Sequence, residues 1–229
     1  MFKKILVFFI LAIFISCSAS RNTTANIPSG TRIKLTTDSG IIILRLYDKT
    51  PLHRDNFIKL VKAHYFDSLL FHRVIKNFMI QGGDPESKNA LPGVELGNGG
   101  PPYTIPAEFD TSLFHKKGAL AAAREGDDVN PSKASSSSQF YIVQGKRFTD
   151  AQIDKVEKDK KISISANHRQ VYKTLGGTPH LDMNYTVFGE VESGLNVIDK
   201  IASAKGDSNN RPLEDIRMKM EILPMRKRN

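Results

Sequence analysis

The sequence predicts a mainly β fold, a closed barrel plugged at its ends by two helices. Between Arg32 and Leu223, short runs rich in β-branched and aromatic residues alternate with Gly, Pro, Asn and Asp clusters. Two segments in that region, near its beginning and near its end, carry apolar residues at helical spacing and supply the plugs. No internal repeat is visible, so one closed sheet accounts for the strands better than an array. A chain of 229 residues with 40% apolar and 25% charged content is globular, and one large domain is the expected count.

Arg32–Thr37 and Ile41–Tyr47 form the first strand pair, joined through the turn residues Asp38-Ser-Gly40. Thr50-Pro51 opens a helix: the threonine is a capping residue, and proline fits the first helical position, whose N–H has no intrahelical partner. Phe57, Leu60, Val61 and His64 give that helix its apolar face. Leu69–Ile75 and Met79–Gln81 read as strands, the second closed by Gly82-Gly83. The Gly- and Pro-rich stretch Leu96–Phe109, "LGNGGPPYTIPAEF", is turn chemistry; no Lys-Ser/Thr follows "GNGG" to make a phosphate cradle. Gly118–Arg124, "GALAAAR", is small and apolar and makes a poorer strand, since alanine has little strand propensity and leans towards helix. Gln139–Val143 and Tyr185–Val191 are better strands. The charged segment Gln144–Pro179 lies between them. Thr149 and Gln152 make a capping box there, and a second helix runs from Ser165 to a stop at Gly176-Gly177. Leu195, Ile198 and Ile201 mark a helix near the end, and Arg217–Leu223 is the last strand.

The amino terminus is a targeting segment. Lys3 and Lys4 precede Ile5–Ile15, an unbroken apolar run far shorter than a membrane span. Removal of residues 1–16 takes two charges from the formal +9 and leaves +7, much of it in the last helix and the "MRKRN" tail. That is a solvated basic tail rather than a nucleic-acid surface. The single cysteine, Cys17, follows the apolar run directly and can form no internal disulfide. "FISCS" resembles the bacterial lipoprotein box, which implies cleavage before Cys17 and acylation of the new terminus. More than one acyl chain makes such an anchor stable. Ser18–Gly30 is then a polar tether with a reach of about 20 Å. The expected organisation is signal peptide 1–16, tether 17–30 from acylated Cys17, and domain 31–229. The expected location is the bacterial cell envelope, periplasm-facing; Ser18 favours the outer membrane over the inner.

Hydrolytic and metal chemistry find little support. There is no Gly-x-Ser-x-Gly elbow, and Ser135–Ser138 reads as a loop with local hydrogen bonding. The histidines at 53, 64, 72, 115, 168 and 180 are scattered singly, so no metal site is expected. "FHRVIKNFMIQGGD" (Phe71–Asp84), by contrast, resembles the signature of the cyclophilin family of peptidyl-prolyl isomerases. "GNGGPPYTIPAEF", "SSQFYIV" and "LDMNYTVFGEV" follow in the family's order, and the resemblance covers most of residues 31–223. It implies an eight-stranded antiparallel barrel capped by two helices, with the partly helical segment at about 145–179 as an insertion. It also implies isomerisation of X–Pro bonds in proline-containing polypeptides, without cofactor, and a monomer as the default state.

The resemblance assigns Arg73, Phe78 and Gln81 to catalysis. Met79, Ala123, Arg124, Tyr141, Leu181 and Tyr185 become substrate-binding positions. Rotation about an X–Pro amide is opposed by a barrier of about 18–20 kcal/mol, because nitrogen shares its lone pair with the carbonyl. A fixed cation that donates to that nitrogen binds the twisted amide better than either planar form, so no acid–base pair is needed. Several positions depart from the family pattern. His180 replaces a tryptophan, which implies weak cyclosporin binding; Tyr185 replaces a histidine and Arg124 an asparagine. The alternative from another class is a non-catalytic module that grips proline segments on the same fold, and Arg73 with Phe78, Met79 and Gln81 argues against it.

Overall fold

The computed structural model describes residues 30–224; the signal segment, Cys17, most of the tether and residues 225–229 lie outside the described residues. The described residues form ten strands: β1 (Arg32–Thr37), β2 (Gly40–Leu46), β3 (Arg73–Ile75), β4 (Met79–Gly82), β5 (Thr104–Ile105), β6 (Ala119–Ala122), β7 (Ser135–Ser136), β8 (Phe140–Val143), β9 (Val187–Ser193) and β10 (Met218–Ile222). Eight make one sheet in the order β10-β1-β2-β9-β6-β8-β4-β3, and β5 pairs separately with β7. Every pairing is antiparallel.

The sheet curls into a barrel whose seam is not a continuous ladder. The seam is made by backbone bonds from Ser68 to Met218, Met218 to Leu69 and Phe71 to Ile216, each 2.9 Å. The expected strand Leu69–Ile75 is therefore two pieces. Residues 68–71 pair towards β10, His72 lies between, and β3 turns to pair with β4.

The described residues form four α-helices: α1 (Pro51–Lys62), α2 (Asp150–Lys160), α3 (Ala166–Thr174) and α4 (Leu195–Ala202). The first and last are the two plugs. They bury Phe57, Ile58, Leu60 and Val61, and Val197, Ile198 and Ile201, against the barrel interior. Phe57 contacts Phe66, Phe140 and Phe188 at ring-centroid distances of 5.0, 5.5 and 5.3 Å, a tilted and edge-on cluster at the centre of the core. Residues 149–174 form α2 and α3 over a small core of their own, Ile153, Ile164 and Tyr172. The capping box forms as expected, with Thr149 accepting from Gln152 and Gln152 from Thr149.

Gly118–Arg124 contains the strand β6 in spite of its alanines, because both faces of the segment are buried. Leu120 and Ala122 face the core while Ala119 and Ala121 face an outer apolar cluster, and packing on two sides overrides alanine's helical preference. Thr50, placed correctly before α1, makes no side-chain cap. The carboxylate of Glu108 takes the role instead, accepting from the N–H groups of Leu52 and His53 at 3.0 and 2.9 Å.

Candidate active site

Strand alternation generates the site. Along β4 and β8, Ile80, Phe140 and Ile142 point into the barrel, and Met79, Gln81, Tyr141 and Val143 point outward. Register places Arg73 opposite Gln81, and Gln81 opposite Tyr141. The outward cluster is covered from the side by Phe78, Leu181 and Tyr185. A cavity of about 280 Å³ opens there. Arg73, Phe78, Met79, Gln81, Ala123, Arg124, Tyr141, Leu181 and Tyr185 all line it, so every site residue read from the domain sequence meets at one place.

The polar arm of the site is a chain of amides. The Arg73 guanidinium donates to Gln81 Oε1 at 3.1 Å, and Gln81 Nε2 donates to Gln139 Oε1 at 3.2 Å. Gln139 Nε2 donates in turn to the carbonyls of Gly97 and Gly99 at 2.8 and 2.9 Å. Each link fixes the rotamer of the one before, so the cation is held rather than free to swing. Gln139 is not among the sequence-derived site residues: it opens the strand-like run Gln139–Val143, and its partners lie 40 or more positions away. The apolar arm is Phe78, Met79, Tyr141 and Leu181, with Met79 1% and Tyr141 4% exposed. Phe78 stacks on His180, which packs behind it, at 5.7 Å and 24°. On the far side the Arg124 guanidinium lies 4.6 Å from the Tyr185 ring centroid and donates to Asn184 O at 2.7 Å.

His72 also borders the cavity, and neither of its ring nitrogens has a partner. Burial, aided by Arg73 and Arg211 and opposed by Asp84, lowers its pKa from 6.5 to about 4. Below pH 6.5 the unfolded chain therefore binds a proton here that the folded chain refuses until about pH 4, and stability falls across that window as pH falls. His53, His168 and His180 are also lowered, chiefly by burial, and act in the same direction. The share of His72 is up to about 3 kcal/mol. Urea midpoints at pH 7.5 and pH 5 should therefore lie closer together in His72→Asn than in the wild type. Equal spacing in the two proteins would remove this account of His72.

Elsewhere, Ser135, His53 and Glu108 stand at triad distances: 2.9 Å from Ser135 Oγ to His53 Nε2 and 2.6 Å from His53 Nδ1 to Glu108. Ser135 is only 1% exposed and His53 2%, so no substrate reaches the hydroxyl, and the trio ties β7 to the start of α1. Among the described residues no three His, Cys, Asp or Glu side chains gather as a metal site, and no helix is long and apolar enough to cross a membrane.

Comparison with known proteins agrees with this geometry. Residues 32–221 match the family model described as cyclophilin type peptidyl-prolyl cis-trans isomerase/CLD. A Staphylococcus haemolyticus protein named as a peptidyl-prolyl cis-trans isomerase is 32% identical over 186 residues, 81% of this chain and 87% of the relative. A Streptococcus pyogenes protein named as a bifunctional phosphatase/peptidyl-prolyl cis-trans isomerase is 34% identical over 82% of this chain, which spans only 37% of that longer relative. Among solved structures, a Cryptosporidium parvum cyclophilin superposes with a TM-score of 0.62 at 21% identity, over 86% of this chain and 99% of its own. The same protein crystallised in the presence of the dipeptide Ala-Pro gives a TM-score of 0.59 at 22% identity, over 85% of this chain and 99% of its own. The outward cavity, the strand order that makes it and these matches lead to one assignment: the chain belongs to the cyclophilin-type peptidyl-prolyl cis-trans isomerase family.

Proposed function

We propose that this chain accelerates cis–trans rotation of X–Pro bonds in exported polypeptides, with Arg73 stabilising the twisted amide. The observation that carries the reading is the meeting of one amide-braced guanidinium with an apolar wall on a cavity of about 280 Å³. The proline ring enters between Phe78, Met79, Tyr141 and Leu181, which exclude water. In that low-dielectric surrounding a hydrogen bond from Arg73 to the pyramidal nitrogen is stronger than it is in water. Planar cis and trans amides lend that lone pair to the carbonyl and gain less, so the barrier falls without covalent chemistry. Gln81 keeps one amide N–H engaged with Gln139 and its oxygen on Arg73, and so orients the cation. Arg124 and Tyr185 set the polarity of the entrance. The test is a proline-peptide isomerisation assay on the purified protein. Catalysed rotation supports the reading, and peptide binding without acceleration would make the chain a proline-binding module instead.

The same proposal places the protein on the envelope membrane, the outer one in preference to the inner, through an acylated Cys17, as a monomer facing the periplasm. The support is the basic-then-apolar leader ending at the only cysteine. Cys17→Ser should leave the leader uncleaved or the domain soluble in cell fractionation. A processed Cys17→Ser protein still in the membrane fraction would rule the anchor out.

A further inference from the structure

The Tyr141 ring lines the cavity, but its hydroxyl points elsewhere, 2.9 Å from His115 Nε2. His115 is fully buried, and its Nδ1 lies 2.9 Å from Asp182 Oδ1, which also accepts the His115 backbone N–H at 2.9 Å. The other carboxylate oxygen accepts from the Tyr172 hydroxyl at 2.6 Å. A carboxylate only accepts, so a neutral His115 carries its proton on Nδ1 and leaves Nε2 to accept from Tyr141. All the donor directions thus converge on the single charge of Asp182.

Tyr172 belongs to α3, inside the inserted segment, and is itself fully buried among Ile153, Ile164, Phe114 and Phe148. The insertion is fastened at the same place. Thr178 N–H donates to His115 O at 2.8 Å, and a Cβ on Gly177 would stand 2.2 Å from that carbonyl and 2.6 Å from Tyr172 Cε1, so only glycine permits the approach.

We propose that Tyr172 is a positioning residue for the proline pocket, acting through Asp182 and His115 on Tyr141, and that this is what the 145–179 insertion does for the site. The inference rests on the isomerase reading for its kinetic consequence but not for its geometry. Held at its far end, the Tyr141 ring presents a fixed wall to the proline. Released, it samples other orientations, and planar and twisted amides lose contact alike. That pattern raises KM and leaves kcat.

The experiment compares wild type, Tyr172→Phe, Tyr141→Phe and the double variant by isomerisation kinetics and by NMR titration with an Ala-Pro peptide. Tyr172→Phe keeps the buried ring and removes one hydroxyl. It should raise KM and the peptide's Kd by about three- to tenfold, the range of one net hydrogen bond, with kcat nearly unchanged. It should also shift the Tyr141 ring signals before any peptide is added. The double variant should lose no more than the worse single variant, because both changes cut the same chain. Unshifted Tyr141 signals, an unchanged Kd, or losses that multiply would each overturn the proposal. A wild type that binds peptide without turning it over would defeat the isomerase reading alone, and the Kd comparison would still decide the role of Tyr172.

Discussion

Arg73→Ala is expected to lower kcat/KM for a proline peptide by about 100- to 1,000-fold, with the melting midpoint almost unmoved. The size follows from what is removed: a preorganised, charged donor aimed where nitrogen's lone pair develops in a site screened from water. The small effect on stability follows from the side chain's position. Arg73 is half-buried on the outer face of β3, and its guanidinium donates to Gln81 Oε1 rather than to a group of the core. Peptide affinity should fall much less than turnover, since Phe78, Met79, Tyr141 and Leu181 still bind the ring. Equal losses in affinity and turnover would mean that Arg73 merely holds substrate.

The largest stability effect away from the core aromatics belongs to Glu108→Ala. One carboxylate accepts two orphan N–H groups of α1 and the Nδ1 of a histidine that is 2% exposed. Losing the cap costs about 1 kcal/mol, and leaving His53 without its acceptor adds about 1–3 kcal/mol. The expected total is near 3 kcal/mol, read from urea denaturation at pH 7.5, with kcat/KM retained because Glu108 does not line the cavity. Glu108→Gln should recover part of the loss by keeping an acceptor oxygen. A midpoint unchanged in Glu108→Ala would mean that this carboxylate does not stabilise the start of α1.

What residue spacing alone disclosed and what it hid divide along chain separation; the distant wall positions Ala123, Arg124, Tyr141, Leu181 and Tyr185 were legible only through the family resemblance. Phe71–Asp84 holds a strand, a turn and a second strand, so Arg73, Phe78, Met79 and Gln81 become neighbours through local geometry and could be read together. The hairpin β1–β2, the capping box at Thr149 and the glycine stop after α3 are local in the same sense. Glu108 caps a helix 56 positions earlier, and Asp182 meets His115 across 67, distances at which no spacing rule operates. Gln139 was hidden for the same reason. β6 is the strand least legible in the sequence, because alanine's propensity belongs to an isolated segment, whereas here sheet neighbours on both edges and apolar packing on both faces select the strand. The break at His72 was invisible because a continuous β-rich run does not reveal that its halves pair with different partners.

Equilibrium exchange NMR on an Ala-Pro peptide at saturating protein tests the central claim most directly. It observes rotation on the bound molecule and needs no coupled reaction. The account predicts cis–trans exchange cross-peaks with the wild-type protein, and loss of those cross-peaks in Arg73→Ala while the peptide's shifts still show it bound. Exchange that persists undiminished in bound peptide without the guanidinium would contradict it.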